Sequence, residues 1–132
     1  MKYFISMPMN GVPDDIINTV MREVRDYISQ RTGGEWINNI ISSDLQHPLE
    51  YLGESIRRMA QADAVFFVSI DSRELQYRWI DRRGCNVEFV AAKEYGIDCF
   101  YLRAIEKPNN SYEIVQETGN VRAHHERISW DM

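Results

Sequence analysis

WIDRRGCNVEFVAAKEYG, residues 79–96, places one acidic side chain, Glu88, in the first turns of an expected helix. A glycine-bearing loop precedes it. The apolar run AVFFVSI (64–70) lies upstream and CFYL (99–102) downstream. In an open parallel sheet, ligands bind where loops leave the carboxyl ends of strands. Ala91, Ala92 and Tyr95 follow Glu88 at helical spacing and are small or apolar, so its face is expected to pack inward. Gly84 has no Cβ and lets a ligand approach the backbone. The helix start adds free N–H groups for hydroxyls or phosphate. A partly buried glutamate beside a sugar has the chemistry of a glycosidic nucleophile; a solvated surface glutamate is the plain alternative.

Other candidates surround this one. YFISMPMNG (3–11) ends an expected first strand, with Ser6, Met7, Asn10 and Gly11 at or beyond its carboxyl end. That loop either borders the same crevice as Gly84 and Glu88 or is an ordinary polar turn over a core tyrosine. Asp71 directly follows the AVFFVSI strand at the ligand end, and Asp81 sits in the next loop, placed to touch a base or a sugar hydroxyl. Asp63 reads as a helix-end or turn residue. Trp79 and Tyr77 either stack a flat base or pack as a lid on the core. Arg82 and Arg83 either bind phosphate or pair with surface acids. His124-His125-Glu126 has neither an HxxxH nor an HExxH spacing, and His47 stands alone beside a proline, so no metal site is expected. No GxGxxG dinucleotide loop is present.

The elements that must hold these residues alternate. KYFISM (2–7) reads as a buried strand broken by PMNG. Pro13 and Asp14 open a helix whose Ile16, Ile17, Val20, Met21, Val24, Tyr27 and Ile28 form one apolar face, ending near Gly33-Gly34. EWINNIIS (35–42) reads as a second strand. Leu52, Ile56, Met59 and Ala60 mark a second helix. AVFFVSI, continuously apolar, suits a strand covered on both faces. Residues 71–83 look irregular, a third helix runs from about Cys85 to Tyr95 before Gly96, and residues 98–103 form a fourth strand. Beyond Ala104, KPNN is a turn and SYEIVQE a candidate last strand; residues 104–132 form an extension suited to oligomer contacts, whose last fifteen residues read as a closing hairpin arm, a small helix or an oligomer-contact tail. The alternation predicts an α/β protein, a Rossmann-like three-layer sandwich with a mostly parallel sheet of four to five strands in one domain.

Composition narrows the class. The chain has 132 residues, 44% apolar and 27% charged, with a net charge of −5, which suits one core and an ordinary polar surface. No basic run tracks phosphates, so a nucleic-acid polymer is not the expected partner. No apolar run approaches the roughly 18 residues of a membrane span. The opening strand lacks the basic and long apolar regions of a leader. Cys85 and Cys99 have no metal spacing and are expected to be reduced thiols, Cys99 buried, in a cytoplasmic protein.

Three segments together resemble the nucleoside 2-deoxyribosyltransferase superfamily, in particular its small bacterial and phage-borne members: YFISMPMNG, YLGESIRRMAQADAVFF and RGCNVEFVAAKEYG. The resemblance covers roughly residues 2–103, and the third segment is the most specific. It implies a flavodoxin-like sheet and cleavage of an N-glycosidic bond in a nucleoside or (deoxy)nucleotide, with the sugar passed to another base or to water. It implies no cofactor, and an oligomer whose subunits complete one another's sites. Glu88 falls on the family's nucleophile, Gly84 on its loop glycine, and Tyr3 on a strand-1 tyrosine that lies beside the glutamate and would hold it ionised. Three positions depart from the pattern. Ser55 stands eight residues before Asp63, where many members carry an aspartate that assists the leaving base; Asn86 replaces the second loop glycine; Arg82, beside Asp81, replaces an aspartate. A hydroxyl is a poor proton donor compared with a carboxyl group.

On this reading Glu88 attacks the anomeric carbon opposite the base, a sugar ester forms, and water or a second base resolves it with net retention. Ser6, Asn10 and Arg83 would meet a hydroxyl or phosphate, and Asp71 or Asp81 the base or sugar. The competing class is a protein that sequesters or senses a nucleotide-derived ligand without consuming it, favoured by Ser55 and Arg82 and opposed by the retained glutamate. A glycohydrolase acting on NAD-type dinucleotides is a third option.

Overall fold

The strand Ala64–Asp71 (β3) is the most deeply buried of the described strands, with seven of its eight residues buried, and the sheet is built outward from it. A computed structural model describes residues 1–41 and 44–117. The expected closing arm, with His124, His125 and Glu126, lies outside the described residues.

Strand Lys2–Ser6 (β1) runs parallel to β3 on one side, with Tyr3 opposite Ala64 and Ser6 opposite Phe67. Asp98–Glu106 (β5) runs parallel on the other side, from Ala64 opposite Asp98 to Asp71 opposite Ile105. Glu35–Trp36 (β2) adds a parallel pair beside β1, and Tyr112–Gln116 (β6) closes the far edge antiparallel to β5. The order is β2-β1-β3-β5-β6, with Gln76–Tyr77 (β4) folded back antiparallel on the end of β3.

Among the described residues, three helices cover this mixed sheet in a three-layer α/β sandwich. Helix Asp14–Thr32 (α1) starts after Pro13 with two acids in its first turn and stops at Gly33, whose left-handed φ of 66° returns its N–H to the Ser29 carbonyl. Its Val20, Met21, Val24 and Ile28 pack on one sheet face against Tyr3, Ile5, Phe66, Val68 and Leu102. The other face takes Pro48–Met59 (α2) and Arg83–Glu94 (α3), through Met59, Cys85, Phe89 and Ala92 against Phe4, Val65 and Phe67. Strand alternation sorts the side chains: in β1, Tyr3 and Ile5 go to α1, Phe4 to α2 and α3.

Four details correct the expectations. Of the expected strand over 35–42, whose last residue lies outside the described residues, only the first two of the described residues pair. The backbone beyond is taken out of the ladder by Asn38, whose side-chain oxygen accepts from the Ile40 N–H at 2.8 Å, and by Arg58, which donates to the Asn38 and Ile40 carbonyls at 2.9 and 3.0 Å. Residues 71–83 are not irregular: they form a hairpin through β4 and a single 3-10 turn, Trp79–Asp81. The fourth long strand runs on to Glu106, because β6 pairs with its second half. Cys99 is half-buried rather than buried; neither it nor Cys85 is in a disulfide. No helix among the described residues is long and apolar enough to cross a membrane.

Candidate functional site

β1 and β3 are parallel neighbours, so the loop leaving β1 and the loop entering α3 meet at the carboxyl edge of the sheet. α2 and α3 do not close over this edge. They leave an open crevice of about 880 Å³ whose floor is the end of β1 and whose walls are the two helix starts.

Glu88 lies in that crevice, in the second turn of α3, on the same buried face as Cys85 and Ala92. It is only 8% exposed. The Ser6 hydroxyl, at the last residue of β1, donates to Glu88 Oε1 at 3.2 Å. Burial pushes the Glu88 carboxyl up to about 7, and the Ser6 hydrogen bond pulls against that rise. The group is thus poised to change charge near neutrality. Cys85, one helical turn earlier, behaves oppositely: burial, then the neighbouring Glu88 charge, push its thiol up to about 12, with the Ser6 hydroxyl and Arg82 offsetting only part. It stays a thiol, so Glu88 has no competing nucleophile beside it.

The two loops are fastened together. Arg82 Nη1 donates to the Asn10 carbonyl at 2.8 Å, which ties the β1–α1 loop to the start of α3. Asn86 Nδ2 donates to the Ile80 and Arg82 carbonyls at 2.7 and 2.9 Å and holds the turn that delivers Asp81, Arg82 and Arg83. Ser6, Met7, Asn10, Ser55, Asp81, Arg83 and Gly84 all line the crevice with Glu88. A Cβ on Gly84 would meet only open space, so the glycine widens the crevice rather than relieving a clash. Asp81 is solvent-exposed, which leaves Glu88 as the one buried carboxyl of the lining among the described residues.

Three expected site residues are elsewhere. Tyr3 is not beside Glu88: it points to the α1 face, where its hydroxyl is 3.3 Å from Ser29 Oγ and donates weakly to the Arg25 carbonyl at 3.5 Å. The period-2 alternation of a strand puts it opposite Ser6, and Ser6 supplies the contact that Tyr3 was expected to make. Asp71 is paired with Arg103 beside the β4 hairpin, which pairs with Ile70 and Asp71, and it does not line the crevice that holds Glu88. Gly11 is exposed and turns the chain with φ 81°, outside the crevice lining. Of the two aromatic candidates, Trp79 is fully buried, with its ring 4.8 Å from Phe67 and 5.2 Å from Phe89, and Tyr77 packs into the α1-side core. Both therefore pack on the core and neither stacks a ligand.

Sequence reading missed the opposite wall. His47 caps α2, its Nδ1 accepting the Leu49 N–H at 3.0 Å, and lines the crevice with Pro48, Leu49 and Leu52. Asn39 lines it too, from the segment expected to be a strand. The signal for His47 was available: a histidine before a proline that opens a helix is a capping position. No signal marked Asn39, whose place depends on Arg58 gripping its neighbours. Glu54 anchors Arg58 in turn, at 2.9 Å; hydrogen bonds from Arg57 and Arg58 hold its carboxyl down near about 2.

No group of three or more potential metal ligands occurs among the described residues. Comparison of the chain with protein-family models and with curated protein sequences finds no match.

Proposed function

We propose that the protein cleaves the N-glycosidic bond of a nucleoside or (deoxy)nucleotide, with Glu88 as nucleophile. The observation that carries the reading is a buried carboxyl, Glu88, hydrogen-bonded by Ser6 in an open crevice at the carboxyl edge of the parallel strands. In its ionised form Glu88 attacks the anomeric carbon. The C–O ester bond forms as the C–N bond breaks, and the departing base takes the bonding electron pair and then a proton. Water or a second base reverses the attack and frees Glu88, with net retention. Ser6 orients the carboxylate and stabilises its charge. Arg83, Asn10 and the start of α3 meet the sugar hydroxyls or a 5′-phosphate. The strand order, with β1 beside β3, supports a flavodoxin-like architecture and, with the three sequence segments, a place in the nucleoside 2-deoxyribosyltransferase superfamily. An oligomer belongs to the same reading.

One observation favours a second reading, a protein that binds a nucleotide-derived ligand and leaves it intact. Ser55 and the exposed Asp81 provide no buried acid to protonate the leaving base. Incubation with nucleosides, deoxynucleotides and dinucleotides of the NAD type separates the two. Free base on chromatography, lost in Glu88→Ala, supports the enzyme. Intact ligand with a raised melting temperature supports the binder and refutes the enzyme.

A further inference from the structure

Taking the crevice as a nucleoside site, on which this inference rests, we propose that Asn39 and His47 read the leaving base and select bases bearing an exocyclic oxo group over their amino counterparts. Both side chains have spent an acceptor on an N–H of the protein itself and kept a donor, Asn39 from a buried position and His47 from an exposed one. Asn39 is 5% exposed, and its Oδ1 accepts the indole N–H of Trp36 at 3.0 Å. An indole N–H can only donate, so the orientation of the amide is fixed and Nδ2 is the half left over. That Nδ2 is buried and has no hydrogen-bond partner. A buried donor without an acceptor is costly, and a ligand oxygen removes the cost.

The residue is gripped on both sides. Arg58 binds the Asn38 and Ile40 carbonyls and fixes the backbone on either side, while the Trp36 bond holds the amide itself. His47 is exposed and is oriented by its bond to the Leu49 N–H. Its Nδ1 accepts the Leu49 N–H and so carries no proton, which leaves the ring proton on Nε2 as a donor. Pro48, Leu49 and Leu52 supply the apolar surface on which a flat ring rests along the same crevice.

A wall of oriented donors needs acceptors opposite. An oxo group brings lone pairs and no proton. An amino group conjugated to a base brings protons and no usable lone pair, so donor would face donor. Sites built to pair polar groups reject the mismatched analogue strongly, because burial leaves the site's own donors unpaired.

The test is the dissociation constant, by calorimetry, of two matched pairs: 2′-deoxyinosine against 2′-deoxyadenosine, and 2′-deoxyuridine against 2′-deoxycytidine. The oxo member of each pair is expected to bind about tenfold tighter or more. Asn39→Asp keeps the Trp36 acceptor and replaces the donor by an acceptor; it is expected to erase or invert the preference. Equal binding of all four nucleosides, or tighter binding of the amino members, overturns the inference and leaves the nucleoside reading standing. Retention of the full preference in Asn39→Asp also overturns it. Binding of none of the four refutes the nucleoside reading, and this inference falls with it.

Discussion

The carboxyl edge of the sheet carries two acids that follow the same local rule and meet different fates. Asp71 ends β3 and Glu88 sits across from the end of β1, both where a parallel sheet presents ligands. At β3 the chain returns at once as β4, which pairs with Ile70 and Asp71, and the Asp71 carboxylate is paired with Arg103. At β1 the chain moves away into α1 on the opposite face, the crevice stays open among the described residues, and Glu88 has a hydroxyl for its partner rather than a cation. A carboxylate held by an arginine contributes to structure. A buried carboxyl without a counter-charge is available for chemistry and costs stability when it ionises.

That contrast is broken or sharpened most strongly at the two acids themselves. Glu88→Gln is expected to lower base release by roughly 10³-fold or more, since it removes the nucleophile and leaves the crevice. Asp71→Asn is expected to leave base release within about twofold, because its site is separate, while lowering stability by about 1–2 kcal/mol through loss of a half-exposed ion pair. Equal loss of activity in both variants, measured by chromatography of released base, would erase the distinction.

Stability against pH gives the same contrast without a substrate. Between the ordinary carboxyl value of 4.5 and about 7, the folded protein keeps a proton on Glu88 that the unfolded chain has released. Stability contributed by Glu88 therefore falls as pH rises through that window and stays lowered above it. Glu88→Gln removes this dependence and is expected to be more stable than the parent at pH 8 by up to about 3 kcal/mol. At pH 4 the two should nearly coincide. Urea unfolding across pH 4–8 reads the difference.

Smaller effects follow at the partners. Ser6→Ala deletes the hydrogen bond that favours the charged form, so the acid limb of the rate profile is expected to move to higher pH, by less than about one unit, with catalysis reduced about tenfold. Gly11→Ala forces a left-handed turn on an alanine and is expected to cost about 1 kcal/mol with base release unchanged, as its exposed position outside the crevice requires.

Much of this architecture was legible because it rests on local rules. The apolar run 64–70, the α1 stripe from Ile16 to Ile28 and the glycines after α1 and α3 each mark an element directly. Glu88 was legible from its small helical neighbours. What failed depended on partners distant in sequence. The resemblance puts Tyr3 beside Glu88, and nothing in KYFIS itself fixes which alternating set faces which helix layer. Asp71 looked free because its arginine comes 32 residues later. The strand expected over 35–42 ended early because Arg58, on the next helix, claims its carbonyls.

The most direct measurement is peptide mass spectrometry of the protein quenched in acid during turnover of a deoxynucleoside that it is shown to cleave. A deoxypentosyl adduct is expected on the peptide carrying Glu88, absent from Glu88→Gln, together with retained anomeric configuration in the product. An adduct on any other residue, or an inverted product with no adduct, would contradict the role of Glu88 as nucleophile.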